Sequence, residues 1–154
     1  MPSSSNPGRF GIVASRFNRE IIDQLLKGAL NRFKTHRVSS TRIDLCWVPG
    51  AFELPAAALR MARTKRYQAI VALGCILAGE TPQFAYLSEA AYQGLILAGV
   101  LSGVPITCGV ITAKQWKQAL QRARENGLNR GGEAAEAAWE MSRLFKRFSK
   151  SHAR

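Results

Sequence analysis

Apolar residues follow two rhythms along this chain. Short, nearly continuous runs alternate with longer stretches in which apolar side chains recur every three or four positions. Phe10-Gly11-Ile12-Val13-Ala14 is the first short run and ends at Ser15, which reads as a buried strand. Ile21, Ile22, Leu25, Leu26, Ala29, Leu30 and Phe33 follow at helical spacing, with Glu20, Asp23, Gln24, Lys27 and Lys34 between them. That pattern predicts an amphipathic helix with Asn18 as its N-cap. A second strand is expected over roughly Arg42 to Val48, stopping at Pro49-Gly50. An Ala-rich helix then covers Ala51 to Arg63, with Pro55 tolerable only in its first turn.

The third strand, Ala69 to Leu73, lies within Tyr67 to Leu77, and a helix is expected from about Gln83 to Leu101. Val104 to Ile111 predicts a fourth strand, with Thr112 capping a helix of Lys114 to Arg124. Asn126 to Gly132 reads as a break, and a last helix runs from Glu133 to about Lys150. Strands alternating with long helices imply parallel pairing through right-handed crossovers. The expected architecture is α/β, a three-layer sandwich with a four-stranded parallel sheet, flavodoxin-like.

A length of 154 residues fits one domain, expected over 9–150, after a flexible lead-in at 1–8 and before a basic tail at 151–154. Hydrophobic residues at 47% and charged residues at 21% describe a globular chain. No uninterrupted apolar run approaches the roughly 20 residues that span a bilayer, and Met1 to Gly8 lacks the pattern of a signal peptide. Cys46, Cys75 and Cys108 are far apart, each inside an apolar stretch, so reduced, buried thiols in a cytoplasmic protein are expected. With His36 and His152 as the only histidines, no zinc site is expected. Lys and Arg total 22 against 10 Asp and Glu, a formal charge of +12, which favours contact with anions. No helix-turn-helix, RNA-binding aromatic motif or zinc spacing accompanies the charge, so nucleic acid is not the expected partner.

In such folds ligands sit at the carboxyl ends of the strands. Ser15-Arg16-Phe17-Asn18 follows the first strand and Pro49-Gly50-Ala51-Phe52-Glu53 the second. Gly74 to Phe84 follows the third, and the fourth carries Cys108 and ends at Thr112. These loops converge on one rim, suited to a flat polar heterocycle and a phosphorylated partner. Each element also has a plainer reading: Phe17 as a lid on the core, Glu53 as a carboxylate complementing a helix dipole, Gly79-Glu80-Thr81 as a turn and cap. Trp47, Trp116 and Trp139 read as packing or subunit-contact residues.

The residues also carry a resemblance. Ser15-Arg16-Phe17-Asn18, Val48-Pro49-Gly50-Ala51-Phe52-Glu53-Leu54-Pro55, the run from Gly74 to Tyr86, and Gly109-Val110-Ile111-Thr112 resemble the lumazine synthase family. Gln118 to Ala123, Asn129-Arg130-Gly131 and Glu133-Ala134-Ala135 continue the likeness in order, over roughly Gly8 to Phe145. The resemblance implies the penultimate step of riboflavin biosynthesis. In it, 5-amino-6-ribitylaminouracil and 3,4-dihydroxy-2-butanone 4-phosphate condense to 6,7-dimethyl-8-ribityllumazine. It implies no metal or organic cofactor, and a homopentamer or higher assembly with sites between subunits. By motif, Phe17 stacks on the pyrimidine, Ala51, Phe52 and Glu53 line the ribityl and pyrimidine region, and Cys75, Ile76 and Leu77 offer backbone contacts. Glu80, Thr81 and Arg122 fall at the phosphate.

The resemblance also brings out departures. Gln83 stands where the family has its proton-transfer histidine, Ala85 where it has an aspartate, Ala78 where it has an arginine and Cys108 where it has a phenylalanine. Gln does not titrate but can orient a water or polarise a carbonyl. Two readings follow: a synthase working mainly by positioning, with Gln83 and Arg122 as its catalytic groups, or an impaired homologue that binds a pyrimidine, lumazine or flavin or forms a shell.

Overall fold

The computed structural model describes residues 8–126 and 128–151. Four strands, β1 (Arg9–Ser15), β2 (Ile43–Val48), β3 (Tyr67–Leu77) and β4 (Ile106–Ala113), form one parallel sheet in the order β2-β1-β3-β4. Helices α1 (Arg19–Thr35), α2 (Leu54–Arg63), α3 (Gln83–Ser102), α4 (Trp116–Ala123) and α5 (Arg130–Ser151) connect and cover it. The expected three-layer α/β arrangement is therefore present.

Alternation along the strands divides the core in two. Phe10, Ile12 and Ala14 of β1 face one side, where Ile21, Leu25 and Phe33 of α1 meet Ala134, Ala135 and Ala138 of α5. Val13, Ile70 and Ala72 face the other, against Leu54 and Ala58 of α2 and Ala91 and Leu95 of α3. β3 is buried from Ala69 to Ile76, as a central parallel strand should be. Pro55 sits in the first turn of α2, where its missing N–H costs nothing.

Several elements differ from their sequence pattern for identifiable reasons. Of the glycines expected to break the chain before Glu133, Gly131 and Gly132 instead lie in the first turn of α5, and Gly127 lies outside the described residues. A Cβ on Gly131 would fall 2.0 Å from the Leu25 carbonyl oxygen, so α1 and α5 touch backbone to backbone there. Asn129 closes this junction: its Oδ1 accepts from the Gly132 N–H at 2.8 Å and its Nδ2 donates to the Ala123 carbonyl at 2.9 Å. Thr112 does not cap a helix; β4 runs through it to Ala113, and α4 starts two residues later than expected. There the Gln118 Oε1 accepts from the Lys114 and Gln115 N–H groups at 3.0 and 3.2 Å.

The cysteines are free, but only Cys75 is buried; Cys46 is half-buried and Cys108 exposed. Helix α3 has 20 residues and a mean hydropathy of 1.3 over its most apolar window, long and apolar enough to cross a membrane by length and composition. Counting uninterrupted runs missed this, because Ser88, Glu89 and Gln93 interrupt it. Ala91, Leu95 and Ala98 are nevertheless buried against the domain. Of the expected lead-in and tail, only Gly8 and Ser151 are among the described residues; His152 and Arg154 lie outside them.

At the amino end of the sheet, Asp44 gathers three partners. Arg9 holds it through Nε at 2.9 Å and through a second guanidinium contact, the Tyr67 hydroxyl donates to it at 2.8 Å, and Arg66 approaches to 3.5 Å. Hydrogen bonding from Arg9, helped by Tyr67, outweighs burial and lowers its pKa from 3.8 to about 2. The folded value lies below the ordinary one, so this stabilisation is complete above pH 3.8 and lost as pH falls towards 2. Asp44→Asn is expected to lose about 1–2 kcal/mol at neutral pH, read from urea unfolding. The deficit should shrink at the most acidic pH where both proteins fold; an undiminished deficit there contradicts the assignment.

Candidate functional site

The strand order reverses between β1 and β3: the chain leaves β1 towards β2 on one side, and β3 and β4 lie on the other. At such a switch point the two outgoing loops part and leave a crevice at the carboxyl ends. A cavity of about 500 Å³ lies here, large enough for a small-molecule ligand.

The backbone beyond β1 keeps pairing past the strand. Arg16 N–H donates to the Val48 carbonyl at 2.8 Å and Phe17 N–H to the Pro49 carbonyl at 3.1 Å. These bonds fix the start of the loop, yet the Phe17 ring is 72% exposed at the cavity rim. Asn18 comes next, in the left-handed region at φ 60° and ψ 44°, and its side chain makes no cap bond to α1. Instead its Nδ2 donates to the Cys75 carbonyl at 3.0 Å, across the crevice. The residue expected to cap a helix is therefore a strut between the β1 and β3 loops; only its backbone carbonyl accepts from Ile21 and Ile22.

The cavity brings together Phe17, Ala51, Phe52, Cys75, Ile76, Leu77, Thr81 and Gln83 of the expected site residues. Asn18, Gly50, Gly79 and Phe84 of the same quoted runs join them, as does Leu87, which lies outside those runs. Glu53 turns its carboxylate to the Gly50 N–H at 2.9 Å, pinning the tight turn at Ala51 to Glu53, and does not line the cavity. Glu80 is exposed and is also outside the lining. Burial pushes the Cys75 thiol up to about 11, so it is a neutral wall at physiological pH.

Arg122 and Cys108 are not part of this cavity. They line a separate hollow of about 340 Å³ beside the end of β4, with Tyr92, Thr112 and Arg130. The Tyr92 hydroxyl donates to the Val110 carbonyl at 2.9 Å. Arg122 donates to the Gln118 carbonyl at 3.1 Å and Arg130 to Glu133 at 2.8 Å. Arg130 is a second cation that the sequence reading passed over, although it stands inside the quoted Asn129-Arg130-Gly131 run. His36 is remote from both hollows, stacked at 3.8 Å on Trp139 and paired with Glu136.

Residues 7–146 match the family model described as 6,7-dimethyl-8-ribityllumazine synthase. The chain belongs to the lumazine synthase family. Among solved structures, a de novo designed Rossmann fold protein is 17% identical, over 73% of this chain and 90% of that one, with a TM-score of 0.40. The lumazine synthase match extends over all five helices up to residue 146 and includes both hollows.

The Asn18 strut yields an ordered test. Asn18→Gly keeps the left-handed backbone and loses only the bond, whereas Asn18→Ala also strains the backbone by about 1–2 kcal/mol. Urea midpoints are expected to fall in the order wild type, Asn18→Gly, Asn18→Ala. A glycine variant as stable as wild type would show that the bond to Cys75 contributes nothing.

Proposed function

We propose that the chain is a lumazine synthase whose working site combines the large cavity of one subunit with the arginine hollow of its neighbour. The product is 6,7-dimethyl-8-ribityllumazine, made from 5-amino-6-ribitylaminouracil and 3,4-dihydroxy-2-butanone 4-phosphate. The observation that carries the proposal is the division of the motif residues. The aromatic and backbone groups suited to a heterocycle share one cavity, and the cations suited to phosphate lie in another. A second copy of the chain, contributing its own hollow, brings the two sets together.

On this reading Phe17 stacks on the pyrimidine, while Ala51 and Phe52 line the ribityl chain on a turn held by Glu53. The backbone of Cys75, Ile76 and Leu77 contacts the ring. Thr81 and the backbone beside Glu80 hold the phosphate end, and Arg122 from the neighbour completes its binding, with Cys108 on the adjoining wall. Gln83 stands at the family's histidine position and orients a water or the ketone rather than accepting a proton. The exposed outer stripe of α3, Ile96, Leu97, Val100 and Leu101, packs against another copy in the homopentamer.

Positioning two reactants can supply about 7–11 kcal/mol, whereas a general base typically adds about 3–5 kcal/mol. A base-free site therefore retains catalysis. One observation favours the second reading, a homologue that binds a lumazine or flavin without turnover: among the described residues Cys75 is the only titratable side chain lining the cavity, and it stays neutral.

Mixing the protein with both substrates separates the two. Lumazine formation above the uncatalysed rate is expected, and Gln83→His is expected to raise it by about 10²-fold or more. No formation by either protein contradicts the synthase.

A further inference from the structure

The charge of this chain is not spread evenly over its surface. In a parallel sheet the returning helices end where the strands begin, so α1, α2 and α5 finish near the amino ends of the strands, opposite the site. Lys146 and Lys150 of α5 confirm this, sharing a hollow with Tyr67 and Gln68 at the start of β3. Segments 24–43, 54–79 and 141–154 contain no Asp or Glu. They place Lys34, Arg37, Arg60, Arg63, Lys65, Lys146, Arg147 and Lys150 at this end, all exposed. Among the described residues none of the eight has a carboxylate within ion-pair distance. Glu140 of α5 is exposed and in no ion pair among the described residues, while Asp44 and Glu136 are already engaged. Asp44 is taken by Arg9 and Arg66, and Glu136 by Arg32 and His36.

Cations at helix C-termini complement the helix dipole, and this accounts for Lys34, Arg60, Arg63 and Lys150, which lie in last turns. It does not account for Lys146 or Arg147, which lie short of the last turn of α5, whereas Arg37 and Lys65 sit just past the ends of α1 and α2. Arg37 and Lys65 are the more telling pair. Each is the second residue past its helix, and each adopts a positive φ of 58°. That position favours glycine, which takes it without strain. In both helices the chain instead carries an exposed cation in a strained backbone.

We propose that this basic end is a second interaction surface, which binds the sugar–phosphate backbone of nucleic acid without reading its sequence. Spread, unpaired guanidinium and ammonium groups match a line of phosphates. Among the described residues Phe148 is the one strongly exposed aromatic at this end, and a single ring is no platform for stacking successive bases. An anionic membrane is the weaker fit: Phe148 is exposed among these cations and Val100 and Leu101 are exposed in the last turn of α3, but the rest of the exposed stripe of α3 runs along the helix flank. The surface lies away from both hollows, so this inference stands or falls independently of the synthase.

The test is fluorescence anisotropy with labelled single-stranded and duplex DNA of random sequence, beside flotation with vesicles containing phosphatidylserine. Binding to DNA is expected to weaken by about 10²-fold between 50 and 200 mM salt, as for roughly four phosphate contacts. Arg37→Gly combined with Lys65→Gly is expected to weaken it further while raising the urea midpoint, a combination that a purely structural role would not produce. Lys114→Gln with Lys117→Gln, at the site end, should leave binding unchanged. The proposal fails if DNA is not bound at 50 mM salt, if the site-end variant loses as much affinity, or if vesicles are bound and DNA is not.

Discussion

Parallel pairing of β1 with β2 and β3, and of β3 with β4, obliges the connecting helices to run back against the sheet. That polarity gives the molecule two unlike ends. At one, the strand carboxyl ends and helix starts present loops, backbone N–H groups and an opening between β1 and β3. At the other, helix C-termini gather, and the chain adds more cations than their dipoles require. The overall +12 is therefore a difference between two ends rather than a uniform property.

The crevice between β1 and β3 depends on how its walls are held. Arg16 and Phe17 extend the pairing with the residues after β2, and Asn18 reaches across to Cys75. A fixed backbone lets an exposed ring keep one place on the rim, and here the backbone is held on both sides of Phe17. Glu53 does similar work on the neighbouring turn by accepting from Gly50. Asn18, expected as a helix cap, and Glu53, expected as a ligand group, thus spend polar atoms on the scaffold that presents Phe17, Ala51 and Phe52.

The layers and strand order were legible because burial enforces them: strands covered on both faces read as continuous apolar runs, and helices with one covered face read with a period of about 3.6 residues. Most of the large cavity was also legible, since loops after parallel strands must share a rim. What escaped were features set by contacts between distant segments. Gly131 and Gly132 signal a break locally, but the Leu25 backbone makes them the start of α5. Asn18 holds the N-cap position of α1 as expected, but its side chain donates to the Cys75 carbonyl instead of accepting from the helix. Arg122 and Cys108 fell in the same list as Phe17, yet a single chain keeps them in separate hollows, which no spacing in the sequence reveals.

The proposed synthase depends on a site made by two copies of the chain. Co-expressing Phe17→Ala, which spoils the large cavity, with Arg122→Ala, which spoils the hollow, tests this directly through lumazine formation. If neighbouring subunits share the site, random co-assembly restores about a quarter of the wild-type sites although each variant alone is inactive. If each chain holds a complete site, every subunit in the mixture carries a defect, and co-assemblies no more active than the separate variants would contradict the account.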